Sequence, residues 1–306
     1  MKKLVCKLII LGIGTLIIVM TISAGYLKRL LGSNEIYNNM PYGIKLANTG
    51  SSHGAHAFDY SIYDGAAFNF AMGSQSIEYD NNLINYYIDH FEKDSVLLIP
   101  ISYFTFWYDE LKSGKEFDNK NMRYFSILDI ENMRFKSKKD YYTNKCLFAT
   151  KIADIQVRSV FSKAKRKASS KENKRLTLEE IGEKRAIYHL RHMLKNNVII
   201  EMSPSVEASL TSLIKLCKEK EITPVLITTP YSHYYSKVFS DIFLSLFYNK
   251  INKICNQFNV NYLDYSKDER FAYKEELFMD TDHLNEVGAK KFTKIVIDDL
   301  NKLKLL

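Results

Sequence analysis

The sequence predicts an α/β protein: a three-layer α/β/α domain around a five-stranded, mostly parallel sheet, preceded by a transmembrane helix and interrupted by a helical insertion. Three observations carry this expectation. Short apolar runs bounded by turn residues alternate with amphipathic stretches of helical period, the pattern of βαβ crossovers. A long uncharged segment opens the chain, and a strongly basic stretch separates the third strand from the helix before the fourth. With 306 residues, 46% hydrophobic and 25% charged, the chain is long enough for a full-sized core and is not a low-complexity polymer.

The first segment sets the compartment. Lys2, Lys3 and Lys7 precede residues 8–27, LIILGIGTLIIVMTISAGYL, which carry no charge. As a helix this run would rise about 30 Å, the hydrocarbon thickness of a bilayer. A cleavable signal peptide is the rival reading, with Ser23-Ala24-Gly25 a weak cleavage site. The lysines on the N-terminal side predict a single-pass anchor over residues 1–33, N-terminus inside, with residues 34–306 outside the cytoplasm.

The strands follow in order. GIKLA (43–47) and AAFNFA (66–71) are the first two, VLLIPI (96–101) the third, VLIT (225–228) the fourth and VNYL (260–263) the fifth. Between them Leu83, Ile84, Tyr87, Ile88 and Phe91 mark one helix. Val206, Leu210, Leu213, Ile214 and Cys217 mark another, opened by Ser203 as N-cap and Pro204 at the first helical position. Phe239, Ile242, Phe243, Leu246, Phe247, Ile254 and Phe258 lie on a long helix, and Ala289, Phe292, Ile295, Val296 and Leu300 on the last one. The insertion spans residues 109–197. Its run 163–175, KAKRKASSKENKR, is strongly basic, and the capping box of Thr177 and Glu180 opens a helix after it. Cys146, Cys217 and Cys255 have no metal-ligand spacing and read as free thiols; no redox chemistry is implied.

In open parallel sheets ligands bind beyond the carboxyl ends of the strands. Two of those loops carry reactive side chains. The first strand runs into NTGSSHG (48–54), and LFMDTDHLNEVGA (277–289) puts Asp280 three residues before His283. A carboxylate so placed can fold back on the imidazole Nδ1–H and leave Nε2 to take a proton from a serine hydroxyl. Asp282 competes with Asp280 for that position. Ser52 could instead cap a helix beginning at His53. A zinc site built from His53, His56, Asp280, Asp282 and His283 is a further reading of the same residues, set aside in favour of a metal-free and cofactor-free site. His189 and His192 read as surface residues.

Together the blocks resemble the SGNH/GDSL hydrolase superfamily, over residues 43–306 apart from the insertion. Gly50-Ser51-Ser52 matches the Gly-Asp-Ser block with Ser in the Asp position, a form similar to envelope-associated branches: the teichoic acid D-alanyl transfer protein and polysaccharide O-acetyltransferase relatives. The resemblance implies a flavodoxin-like sheet and three catalytic residues: Ser52 as nucleophile, His283 as base and Asp280 as its orienter. It further implies an oxyanion hole from the backbone N–H groups of Ser52 and Gly73. The superfamily's third-block Asn is missing from IPISYFTFW (99–107), where Ser102 is the nearest polar group and becomes the third oxyanion candidate. His53, Gln75, Tyr103 and His233 are expected at the substrate.

The chain is therefore expected to be an extracytoplasmic serine acyl-transfer enzyme, an O-acetyl esterase or O-acetyltransferase acting on a cell-envelope or extracellular polysaccharide. The alternative is a non-catalytic glycan-binding or assembly protein that keeps the fold. Expected partners are the polysaccharide, the membrane through the N-terminal helix, and other envelope polysaccharide-processing proteins. The net charge of +8 does not indicate nucleic acid, because the basic run would lie outside the cytoplasm.

Overall fold

The computed structural model describes residues 2–32, 35–108, 122–124, 127–133, 138–139, 141–142, 176–196 and 198–306. The chain forms two compact units, Met1–Asn39 with Lys115–Arg175, and Met40–Gly114 with Leu176–Leu306. In the first unit residues Lys2–Gly32 make one helix, α1. Its described side chains from Leu4 to Ile18 are largely exposed. Among the described residues no helix is long and apolar enough to cross a membrane, so the expected span is not seen. The side chains of residues 19–20 and 22–32 lie outside the described set. The basic run 163–175 and Cys146 also lie outside it.

The second unit is the three-layer α/β domain. Its strands are β1 (Ile44–Asn48), β2 (Ala67–Asn69), β3 (Phe91–Pro100), β4 (Thr223–Thr228) and β5 (Asn261–Asp264). They pair in parallel in the order β2-β1-β3-β4-β5. This is the flavodoxin-like winding, whose switch point lies between β1 and β3. Strands buried on both faces read as continuous apolar runs, which is why VLLIPI and VLIT announce themselves in the sequence.

Side chains alternate across the sheet. Leu46, Val96, Leu98, Val225 and Ile227 pack with Phe292, Val296 and Leu300 of the last helix. Their neighbours Ala47, Leu97, Ile99 and Leu226, also buried, belong to the other face. The helices are α2 (Ser52–Ala57), α3 (Ile77–Tyr86), α4 (Leu178–Leu190), α5 (Pro204–Glu219), α6 (His233–Ser236), α7 (Asp241–Phe258) and α8 (Glu286–Lys302). Ser203 stands before Pro204 as expected, and Thr177 and Glu180 close their capping box. A hairpin of Leu194–Lys195 and Val198–Ile199 follows α4. Cys217 and Cys255 are free thiols.

One expected element ends early. Phe91 belongs to β3 and not to the helix before it, because α3 stops at Tyr86 and the 3-10 turn Ile88–His90 redirects the chain. That turn is held by a hydrogen bond between His90 Nδ1 and the carbonyl of Pro41, 3.0 Å. Phe91 then stacks on Phe70 with ring centroids 5.8 Å apart.

Candidate active site

The site lies beyond the carboxyl ends of β1 and β3, at the switch point. Past β1 the chain turns through Thr49 and Gly50, whose N–H donates to Asp80 Oδ1 at 2.9 Å. Ser51 is the N-cap of α2, so Ser52 is its first helical residue and its hydroxyl is not spent on capping. Gly54 lets this short helix sit against the strand end: a Cβ there would fall 2.4 Å from the Thr49 carbonyl oxygen and 3.0 Å from Ala71 Cβ.

The second half of the site is the loop before α8. Asp280 Oδ1 accepts from the backbone N–H groups of Asp282 (3.0 Å) and His283 (2.9 Å), which folds the carboxylate back over its own loop. Met279 N–H donates to the His283 carbonyl at 2.9 Å. From the loop after β4, Ser232 fixes Thr281 by donating both its N–H (3.1 Å) and its hydroxyl (2.7 Å) to the Thr281 carbonyl. Asn285 caps α8, accepting from the Gly288 N–H at 3.0 Å.

These two loops meet. His283 Nδ1 lies 2.9 Å from Asp280 Oδ2 and 3.1 Å from Oδ1, and Nε2 lies 2.8 Å from Ser52 Oγ. With Nδ1–H donating to the carboxylate, Nε2 is left as the acceptor for the Ser52 hydroxyl proton. Burial tends to raise the Asp280 carboxyl. The His283 hydrogen bond and the Asp282 N–H outweigh this and hold it below the usual carboxylate range.

Asp282 has a different task. Its fully buried carboxylate accepts from His53 Nε2 at 3.0 Å and from Arg185 Nε at 3.0 and 3.2 Å, while His283 Nδ1 is 3.7 Å away. Burial alone would raise this carboxyl. The His53 hydrogen bond and the positive Arg185 guanidinium beside it outweigh this and hold it far below its ordinary value. His53, 2% exposed, is pushed down by burial and pairs with Asp282 as a neutral ring, its Nε2–H donating. Its Nδ1 must then accept, and the Ser102 hydroxyl donates to it at 2.6 Å.

A cleft of about 250 Å³ opens over Ser52. Ser51, Ser52, Ser74 and Gln75 line one part of it, Phe104 and Tyr108 from the loop after β3 another. The rest comes from α4 and the turn after it: Arg185, Tyr188, His189 and His192. Gly182 admits this helix, since a Cβ there would lie 2.7 Å from Tyr234 Cβ and 2.8 Å from the Tyr234 backbone.

Several expected positions move. Tyr103 is completely buried, packed against Tyr231, Phe239 and Phe247, and so is a core residue and not a substrate contact. His53 likewise does not line the cleft; it is the buried link between Ser102 and Asp282. Ser102 sits behind the site, 3% exposed, with its N–H donated to Thr105 Oγ1 at 2.8 Å and its hydroxyl to His53. His233 stacks on Tyr273, centroids 4.7 Å apart, with its Nδ1 3.3 Å from the Ala272 carbonyl, away from the cleft lining. Gln75 does line the cleft, with its Nε2 donating to Asp80 Oδ1 (2.7 Å) and the Phe70 carbonyl (3.1 Å). Gly73 lies in the turn after β2 beside Ser74 and Gln75, with open space where a Cβ would be.

His189 is not a surface residue, as the sequence suggested, but a wall of the cleft. The signal was present: Arg185, Tyr188, His189 and His192 recur at i, i+3, i+4 and i+7, one helical face of polar and aromatic types. His53, Asp282 and His283 offer ligand atoms within 4.8 Å of one another. Their facing atoms are already paired, His53 Nε2 with Asp282, the Asp282 carboxylate with Arg185 and His283 Nδ1 with Asp280.

The model of the DltD protein family matches residues 105–298, more than half of the chain. The chain belongs to the DltD family. This is the envelope-associated branch of the SGNH-like hydrolases that the Gly-Ser-Ser block resembles, and it supports an acyl-transfer or hydrolase role in the envelope. The DltD match takes in the Asp280–His283 loop and all of α4, and it begins after Ser52 and Gly73. A solved structure from Bacteroides fragilis NCTC 9343, named "a putative acylhydrolase", is similar at 11% identity with a TM-score of 0.42, covering 89% of this chain and 95% of that one. No curated protein matches.

Proposed function

We propose that this chain is a membrane-anchored, extracytoplasmic serine acyl-transfer enzyme that adds or removes O-acyl groups on a cell-envelope or extracellular polysaccharide. The observation that carries the reading is the 2.8 Å contact between Ser52 Oγ and His283 Nε2, with Asp280 on Nδ1 and a cleft open over the hydroxyl. In this mechanism His283 takes the Ser52 proton as Oγ attacks the ester carbonyl, and the imidazolium, steadied by Asp280, returns that proton to the departing alkoxide. Water or a sugar hydroxyl, deprotonated by His283, then releases the acyl group from Ser52. The backbone N–H groups of Ser52 and Gly73 are the proposed oxyanion donors.

The uncharged run 8–27, within α1, is the proposed anchor. Lys2, Lys3 and Lys7 favour an N-terminus inside the cytoplasm. A binding protein that had lost turnover would have no need to keep Ser52, His283 and Asp280 in hydrogen-bonded register, which favours the enzyme. The test is acyl release from an aryl acetate and from O-acetylated or D-alanylated glycans by the full-length chain in detergent. Turnover lost in Ser52→Ala and His283→Ala supports the reading. Turnover that survives Ser52→Ala contradicts it. Adding an acceptor glycan separates transferase from esterase.

A further inference from the structure

His189 is a ring in the cleft wall that the acyl-transfer steps above do not use. Its Nδ1 is 2.8 Å from the hydroxyl of Tyr235, a residue with no exposed surface. His189 is that hydroxyl's partner among the described residues, and a buried O–H gives its proton to the acceptor it has. The Tyr235 phenol keeps that proton, since burial pushes it well above its ordinary value. Nδ1 is therefore the accepting nitrogen, and a neutral ring must carry its proton on Nε2. Burial, then the neighbouring His53, pushes His189 down to about 3, so the ring is neutral at any working pH.

The ring's Nδ1 edge faces the buried phenol, which leaves the Nε2 edge for the cleft that His189 lines, where it has no hydrogen-bond partner among the described residues. Phe104 fixes the ring plane, with centroids 4.5 Å apart. The Ser102 hydroxyl, from the loop after β3, does not take this place, because it is turned back onto His53.

We propose that His189, locked by Tyr235 as the Nε2–H tautomer, is a substrate-contacting hydrogen-bond donor for an oxygen of the acyl substrate bound over Ser52, and that Tyr235 is its positioning residue. The inference rests on the acyl-transfer reading for its substrate class. His189 moves no proton; it remains neutral and holds an oxygen.

The test combines aryl acetate kinetics with a long-range 1H–15N spectrum of the full-length chain in detergent, labelled with 15N in its histidine rings. His189→Ala should lower kcat/KM about 10²-fold, chiefly through kcat, with the melting temperature reporting that the variant folds. His189→Gln, whose amide N–H can reach the same oxygen, should recover part of the loss, and it decides the point if the alanine variant does not fold. Tyr235→Phe should shift the His189 cross-peaks from the Nε2–H pattern toward a mixture of tautomers. An Nδ1–H pattern in the wild type overturns the proposal, as does a His189→Ala or His189→Gln variant within twofold of wild type in every parameter while Ser52→Ala is inactive. Absence of turnover in the wild type counts against the acyl-transfer reading, and the tautomer spectrum then decides His189 alone: Nε2–H supports the assignment and Nδ1–H removes it.

Discussion

Two aspartates two positions apart, Asp280 and Asp282, have been given opposite surroundings. Asp280 is partly exposed and reaches forward to His283, while Asp282 is buried and reaches back to His53 and Arg185. The difference predicts two kinds of failure. Asp280→Asn should leave the melting temperature nearly unchanged and lower kcat by about 10³ to 10⁴, because the amide favours the wrong tautomer of His283. Asp282→Asn leaves Arg185 and His53 without their carboxylate and should cost about 3 kcal/mol of stability, read by urea denaturation. Equal stability losses in the two variants would contradict this division. The Asp-x-x-His spacing alone made Asp280 legible, since the carboxylate and the imidazole sit on one loop. The task of Asp282 was not, because its partners are brought to it from 229 residues away at His53 and 97 residues away at Arg185.

At the scale of elements, α2 and α4 place the reactive groups. Helix α2 approaches the end of β1 so closely that Gly54 has no room for a side chain. By propensity alone Gly54→Ala would stabilise a helix by about 1 kcal/mol. Here it should instead destabilise the fold and reduce turnover, since α2 must lift off Thr49 and carry Ser52 away from His283. A variant as stable and active as wild type would contradict the packing. Strands were legible because parallel strands buried on both faces need unbroken apolar runs, as in 96–101 and 225–228. The end of α3 was not, since Phe91 continues the helical spacing and is taken into β3 only by the turn that His90 makes on Pro41. Likewise the residues flanking the third strand alternate in a way the sequence cannot orient: Ser102 and Tyr103 point into the molecule while Phe104 lines the cleft.

Over the whole molecule, folding traps two neutral histidines. Burial lowers both His53 and His189, the latter to about 3, whereas in the unfolded chain each takes up a proton near pH 6.5. The unfolded state therefore binds more protons on acidification, and stability that is complete above about pH 6.5 declines as the pH falls toward the folded values. The slope is up to about 1.4 kcal/mol per pH unit for each ring. The melting temperature should fall between pH 7 and pH 5, and less steeply in His189→Gln; a flat or rising profile would contradict the buried neutral pair. The central claim at this scale is that the fold brings two loops 231 positions apart together to make one nucleophile. Acid-quenching the full-length chain during aryl acetate turnover, and mapping the acetyl group by peptide mass spectrometry, tests it most directly. The account predicts acetyl on Ser52 in the wild type and almost none in His283→Ala; acetyl on Ser51 or His56, or on Ser52 to the same extent without His283, would contradict it.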